Sequence, residues 1–410
     1  MTRVGGALAG SVLPLALLAG GWWVVHRPGA LPPAATSLVP SGAYVALAIA
    51  ALIGIAFHRG RIAYAALALA VGYAAWRRFV AGPAGGFEAE TVFAGLAVLG
   101  PMVLAAMAWL EERGTFSIHS LLRLGVIAGA AALVWWIVAG ERAATTAWAY
   151  APLAGTPTPF ATPIPQLGLA AISIAIGAIA AAAFVLRSAV VAGLGWALMA
   201  LALGLHFAAA VPLAMPVFVA TAGLALVAAV LQETYRLAFR DELTGLPSRR
   251  ALNERLKSLG RHYAVAMVDV DHFKRFNDLH GHDVGDQVLR MVAARLARVG
   301  GGGRAFRYGG EEFTVLFPAK SVADVLPHLE ALRARIEAYR MAIRRPDRPR
   351  KKRTGKRQRS ATSVARTVSV TVSIGAAEPG AKNDHPEAVI RAADRALYRA
   401  KREGRNQVAA

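Results

Sequence analysis

Three carboxylates lie where ordinary packing does not want them. Residues 307–313 read RYGGEEF, with Glu311 and Glu312 at the mouth of the apolar run TVLF. Residues 263–271 read YAVAMVDVD, a β-branched apolar run ending in acids, Asp269 among them. Unpaired charge beside a buried strand is costly, so acids in such places call for a cation. If the two strands are neighbours, Asp269, Glu311 and Glu312 converge at one sheet edge. Oxygen ligands with a backbone carbonyl nearby suit hard Mg²⁺, which favours phosphate-bearing substrates. Gly309 and Gly310 predict a hairpin turn with positive φ, and bare backbone against which a nucleotide can lie.

The elements that must hold these acids follow residue 250. Their order is helix, strand, helix, strand-turn-strand, helix, basic insertion, strand and helix. Residues 273–299 read as two helical stretches separated at HGHDVGD. TVSVTVSIGAA, residues 367–377, alternates as one half-buried strand does. Residues 386–404 form an amphipathic helix ending at Gly404. The expected fold is a mixed α+β sheet with helices packed against it.

Composition places a second, different molecule in front of this one. The chain has 410 residues, 56% of them hydrophobic, with mean hydropathy +0.43. Such values suit membrane spans joined to a polar domain. Cysteine is absent, which excludes disulfides, zinc-thiolate sites and thiol nucleophiles. The net charge of +21 resembles that of a nucleic-acid binder, but its distribution does not. Residues 344–366 alone hold eleven basic residues against Asp347, a net of +10, with no aromatic interleaving. We therefore expect no nucleic-acid partner. This insertion reads as a solvated loop able to touch an anionic lipid surface.

Apolar stretches at 5–25, 41–57, 61–77, 91–110, 122–139, 168–186, 189–210 and 213–232 predict about eight spans within a polytopic domain, residues 1–232. An uncleaved first helix fits better than a signal peptide, given the spans that follow it. Arg59, Arg61, Arg113, Arg123, Arg187, Arg236 and Arg240 fall on the side of both termini, which predicts a cytoplasmic C-terminal domain. Of the acidic and histidine candidates Glu88, Glu90, Glu111, Glu112, His119, Glu141 and His206, only His206 falls within a span. Residues 233–240 read as a signalling helix or linker, broken by Gly245 and Pro247 before the next domain, 241–410, begins to fold.

Residues 241–407 resemble the GGDEF domain of diguanylate cyclases. The resemblance rests on DELTGLPSRR, VDVDHFKRFNDLHGHDVGDQVL, RYGGEEF, VSIGAA and ADRALYRAKREGRNQV, in the family's order and spacing. It implies a palm-like, ferredoxin-like sheet with flanking helices, and condensation of two GTP into cyclic di-GMP by a homodimer. By motif, Asp269, the carbonyl of Val270, Glu311 and Glu312 would bind Mg²⁺ or Mn²⁺. Glu311, Glu312 and Lys401 would be catalytic. Asn277 and Asp286 would hold the guanine edge. The amides of His272 and Phe273, with Lys274, Lys401 and Arg405, would hold the triphosphate, and Arg307 would support the acidic turn. The implied location is a bacterial inner membrane. Three departures stand out: Glu311 replaces the family's Asp, Ser248 replaces the Asn often seen after LTGL, and GGGG at 300–303 replaces its Arg-x-x-Asp product-inhibition motif. A catalytically inactive domain that only receives GTP or cyclic di-GMP is the alternative.

Overall fold

The computed structural model describes residues 3–27, 29, 31–82, 86–153, 161–260, 262–342, 367–380 and 385–410. The basic insertion at 344–366 lies outside the described residues. Chain contacts divide the protein into two units, 1–234 and 235–410.

The first unit is helical: α1 (Arg3–His26), α2 (Pro33–Ala56), α3 (Gly60–Ala75), α4 (Phe87–Trp109), α5 (Ile118–Ala139), α6 (Ala143–Tyr150), α7 (Gln166–Leu186), α8 (Ala189–Phe207) and α9 (Ala214–Phe239). A π-helical turn, Trp76–Val80, extends α3. Each of the eight apolar stretches lies on a helix. Among the described residues, six helices (α2, α4, α5, α7, α8 and α9) are long and apolar enough to cross a membrane. Helix α6 was not anticipated; it is short, and its sequence AATTAWAY carries little apolar pattern.

Two of the arginines read as flanking charges are instead buried. Arg123 is 0% exposed and donates to the Glu111 carbonyl at 2.7 Å. Arg61 donates to the Leu110 carbonyl at 3.0 Å, and Glu112 accepts from the amides of Gly60 and Arg61 at 3.0 and 3.1 Å. These bonds satisfy orphan groups at the end of α4 and the start of α3. His206 sits half-buried, 3.0 Å from the Thr162 hydroxyl.

Residues 233–239 are helical and continue α9, which runs unbroken to Phe239 because nothing before Asp241 interrupts the helical pattern.

The second unit is a five-stranded sheet of order β2-β3-β1-β6-β7. Its strands are β1 (Tyr263–Val270), β2 (Arg304–Gly309), β3 (Glu312–Pro318), β6 (Val372–Ala377) and β7 (Val408–Ala409); β4 (Met341–Ala342) and β5 (Thr367–Val368) form a separate ribbon. Helices α10 (Arg249–Lys257), α11 (Phe273–His280), α12 (His282–Leu296), α13 (Val322–Glu337) and α14 (Pro386–Arg402) complete it. Strand β1 is central and antiparallel to both β3 and β6.

Side chains alternate across a strand, and β1 feeds two cores. Ala264, Ala266, Val268 and Val270 pack with residues of α12 and α13, while Tyr263, Val265 and Met267 pack with residues of α10 and α14. A strand buried on both faces needs apolar residues at every position, which explains the uninterrupted run.

Residues 273–296 form two helices as expected, parted within HGHDVGD at Gly281, φ 82°. Two local expectations need correction. Residues 367–377 are not one strand, because β5 pairs with β4 before the chain bends into β6. Gly309 and Gly310 do not take positive φ; the hairpin is accommodated by a register shift between Arg307 and Gly309.

Candidate active site

The register of the sheet builds the acidic cluster. Asp269 pairs with Glu312 across β1 and β3, and cross-strand partners project from the same face. Strand parity puts Asp269 on the side of Val265 and Met267, the side packed with α14. Lys401, near the end of α14, meets it there, its Nζ 3.0 Å from Oδ2. Glu311 sits in the turn immediately before β3. The expected convergence is therefore present, at the ends of two interior strands and not at a sheet edge.

The cluster carries excess negative charge. Asp269 is 5% exposed, and burial pushes its carboxyl above the ordinary range despite the pull of Lys401. Burial also raises Glu311, reinforced by the charge of Asp269 and, more weakly, of Glu312, against Lys401. A cation fits this donor set, since one lysine does not neutralise three acids. Among the described residues no three His, Cys, Asp or Glu side chains are gathered closely enough to cage a metal alone. A divalent ion here would draw remaining ligands from backbone, water and substrate oxygens, as Mg²⁺ commonly does.

The turn itself is tied down. Arg307 donates through Nε and Nη2 to the Gly310 carbonyl at 3.2 and 2.7 Å, and through Nη1 to both Asp241 oxygens at 2.8 and 2.9 Å. Burial opposes the Asp241 charge, but hydrogen bonds from Thr244 and Arg307 outweigh it and hold that carboxyl below the usual range. The glycines leave open backbone: a Cβ on Gly310 would meet nothing within 4 Å, and one on Gly309 only a Glu312 oxygen at 3.6 Å.

The remaining candidates surround this cluster. Val270 ends β1, and His272, in the left-handed region at φ 57°, caps α11 so that the chain turns directly from Asp269 into a helix N-terminus. Such a terminus presents free amides, here from Phe273 onward, suited to an anion. Lys274 is exposed in the first turn of α11. Arg405 is exposed at φ 64° in the turn after α14, and its charge lowers the Asp269 pKa, so the two are within electrostatic reach.

Asn277, on α11, lies against α12 at Gly285, where an added Cβ would fall 1.9 Å from its Oδ1. That Oδ1 is buried with no hydrogen-bond partner, an unmet acceptor of the kind a ligand satisfies. Asp286 follows directly, half-buried, 3.9 Å from Arg290.

Sequence reasoning missed Asp271. This buried carboxylate accepts from Ser373 Oγ at 2.6 Å, Thr371 Oγ1 at 2.7 Å and the Asn406 amide at 3.1 Å. Asn406 in turn bonds Arg333 and Glu337 of α13, both at 2.8 Å. The network bolts the turn that bears Arg405 to the chain two residues past Asp269. The DVD pattern was the available signal, because the second acid of such a pair needs its own partners once buried. Asp271→Ala strands three donors at once, and it is expected to cost about 3 kcal/mol in chemical denaturation of the full chain.

Comparison with known proteins identifies the domain. The family described as "Diguanylate cyclase, GGDEF domain" matches residues 238–355 and 347–407. The response regulator PleD of Caulobacter vibrioides is 36% identical over 186 residues, 43% of this chain and 37% of PleD. Diguanylate cyclase VdcA of Vibrio cholerae is 38% identical over 182 residues, 43% of this chain and 48% of VdcA. The chain thus spans under half the length of these curated relatives. A solved structure of the coiled coil and GGDEF domain of DgcB from Caulobacter crescentus, in complex with c-di-GMP, is 33% identical, with TM-score 0.37; it covers 44% of this chain and 88% of that one. C-terminal to its apolar helices, the chain carries a GGDEF domain of the diguanylate cyclase family.

Proposed function

We propose that this protein is a membrane-bound diguanylate cyclase that condenses two GTP into cyclic di-GMP and two pyrophosphates under control of its helical unit. The observation that carries the reading is the buried Asp269, held beside Lys401 and opposite Glu312 with Glu311 adjacent. A domain that merely received a nucleotide would have no use for charged acids kept at such cost.

In this reading the 3′-hydroxyl of one GTP attacks the α-phosphorus of the other. The new P–O bond forms as the bond to the β-phosphate oxygen breaks, pyrophosphate leaves, and the hydroxyl proton passes to Glu311 or Glu312. Lys401 and Arg405 hold the triphosphate with the amides of His272 and Phe273 and with Lys274, while Asn277 and Asp286 hold guanine. Asp269, the Val270 carbonyl, Glu311 and Glu312 would hold Mg²⁺ or Mn²⁺, which supplies charge stabilisation at the phosphate. Each domain binds one GTP, so two chains must meet, and the homodimer is the active form. The catalytic domain faces the cytoplasm from a bacterial inner membrane, where residues 344–366 contact anionic lipid. Incubating the purified chain with GTP and Mg²⁺ and weighing the product tests the proposal. Cyclic di-GMP is expected; GTP returned unchanged, with nucleotide bound, would favour the inactive receptor.

The Asn277 environment supports a guanine site and makes a separate prediction. Gly285→Ala must displace the Asn277 side chain, so the KM for GTP is expected to rise about tenfold, the equivalent of one hydrogen bond, with kcat less affected. Steady-state kinetics of the variant checks this.

Product feedback through the family's usual site is absent in this reading. Gly301 and Gly302 take φ 67° and 77°. A Cβ on Gly300 would fall 2.8 Å from His328 Nδ1, and one on Gly303 2.6 Å from Phe317. No charged pair stands there, and a side chain at 303 would press into Phe317, Val299 and Val315. Losing two charge-assisted contacts weakens binding at least about tenfold. Initial rates are therefore expected to be unchanged by low-micromolar cyclic di-GMP, and inhibition in that range would refute the reading.

A further inference from the structure

The helical unit contains an apolar cavity of about 190 Å³, open on its outer side, between α3, α4, α5, α8 and α9. Its inner wall includes Leu104, Ile127, Leu201 and Met215, all buried. Exposed Trp135 and half-buried Phe79 line its outer side. The one buried polar group in the wall, the Tyr73 hydroxyl, is committed to the Pro40 carbonyl at 3.1 Å. Apart from the Trp135 indole, no other lining side chain offers a hydrogen-bonding group.

We propose that this cavity binds a small, uncharged, apolar molecule of about one ring in size. A cavity of roughly 150 Å³ lined by aliphatic and aromatic groups stays dry and takes benzene. The space here holds a ring with a short substituent, and it is too small for a helix. A hydroxyl or a charge placed against the inner wall would be buried unpaired, the Tyr73 hydroxyl being already committed.

Two further observations favour a ligand site over a packing defect. Phe79 belongs to the π-helical turn that extends α3, and such turns frequently mark functional sites. The wall on the other side is α5, whose apolar window is only 11% buried within the unit, so this helix can yield to an entering molecule. Met215 places the cavity against α9, which continues unbroken to Phe239. A bound molecule therefore touches the helix that leads into the GGDEF domain. That last step rests on the proposed control by the helical unit; binding itself does not.

The test uses the full chain in detergent, with toluene as probe and phenol as its near-isostere. Toluene is expected to raise the unfolding temperature saturably, and phenol at the same concentration is not. Ala130→Leu and Ala68→Leu fill the cavity from α5 and α3, and each is expected to abolish the toluene shift. An equal shift in wild type and both variants, or with both probes, places toluene in the micelle and overturns the proposal. A shift seen only after removal of co-purified phospholipid makes an acyl chain the occupant and also overturns it. Because binding is read from unfolding, a failure to make cyclic di-GMP would sink the proposed function and leave this result standing.

Discussion

Asp269→Asn is expected to abolish GTP turnover while leaving the protein at least as stable as wild type. The carboxylate faces Glu312 across the sheet and lies in the field of Glu311. Removing its charge takes away the partner of Lys401 and, in the proposed reading, a metal ligand. Loss of a single preorganised electrostatic group costs on the order of 100- to 1,000-fold in rate, and loss of a metal ligand should reach the upper end. Stability moves the other way. Burial raises the folded-state pKa of Asp269 above its unfolded value, so the ionised carboxylate is a burden that the folded state carries at neutral pH. For such an acid, stability is greatest below the unfolded pKa and is lost as pH rises through the folded one. Asn removes that loss. Glu311, raised for the same reason and by its acidic neighbours, adds to the trend. Activity needs both acids ionised, so its acidic limb should lie above the ordinary carboxylate range, and raising Mg²⁺ should move that limb to lower pH. Parallel measurement of product formation and thermal unfolding checks both halves. A variant that keeps near wild-type turnover at low Mg²⁺ would remove Asp269 from the metal site.

The acids were legible in the sequence because their surroundings are local. An apolar run that ends in Asp269, and a hairpin whose second arm begins at Glu312, declare charge beside a core whatever the topology. Strand parity then assigns Asp269 to the α14 face, which is why a lysine more than a hundred residues away meets it. The supporting bonds were hidden for the opposite reason. Asp241 and Arg307 are 66 residues apart, and Asp271 and Asn406 are 135 apart; polar residues at such separations carry no periodic signal that pairs them. The glycines of the turn were read correctly as open backbone but wrongly as positive φ, since a register shift supplied the bend that φ was expected to supply. In the helical unit, composition marked the apolar stretches well. It could not show that Arg61 and Arg123 turn inward, because buried and flanking arginines look alike until their carbonyl partners are placed.

Gly375→Ala is expected to be the most damaging single-methyl substitution in the catalytic domain. Gly375 lies mid-strand in β6, paired with Met267 of β1 and Ala409 of β7. A glycine inside a strand marks close approach by another backbone, and here α14 lies directly on it. An added Cβ would fall 1.9 Å from the Leu397 amide nitrogen, 2.3 Å from the Ala393 carbonyl oxygen and 2.6 Å from the Ala396 carbonyl carbon. All three are helix backbone, so no side-chain rotation relieves the clash. Helix α14 must lift, and it carries Val389, Ala393 and Leu397 out of the core they share with β1 and α10. Losses above about 4 kcal/mol arise from few mechanisms, overpacking against rigid structure among them. A domain whose whole stability is of order 5–15 kcal/mol tolerates that poorly. The same lift draws Lys401 away from Asp269, so any folded fraction should also have lost turnover. Denaturant titration of Gly375→Ala beside Gly310→Ala separates the two effects, because a Cβ on Gly310 meets nothing and should leave the folding midpoint unchanged. A Gly375→Ala protein with a wild-type midpoint would mean that α14 does not lie as closely on β6 as the structure has it.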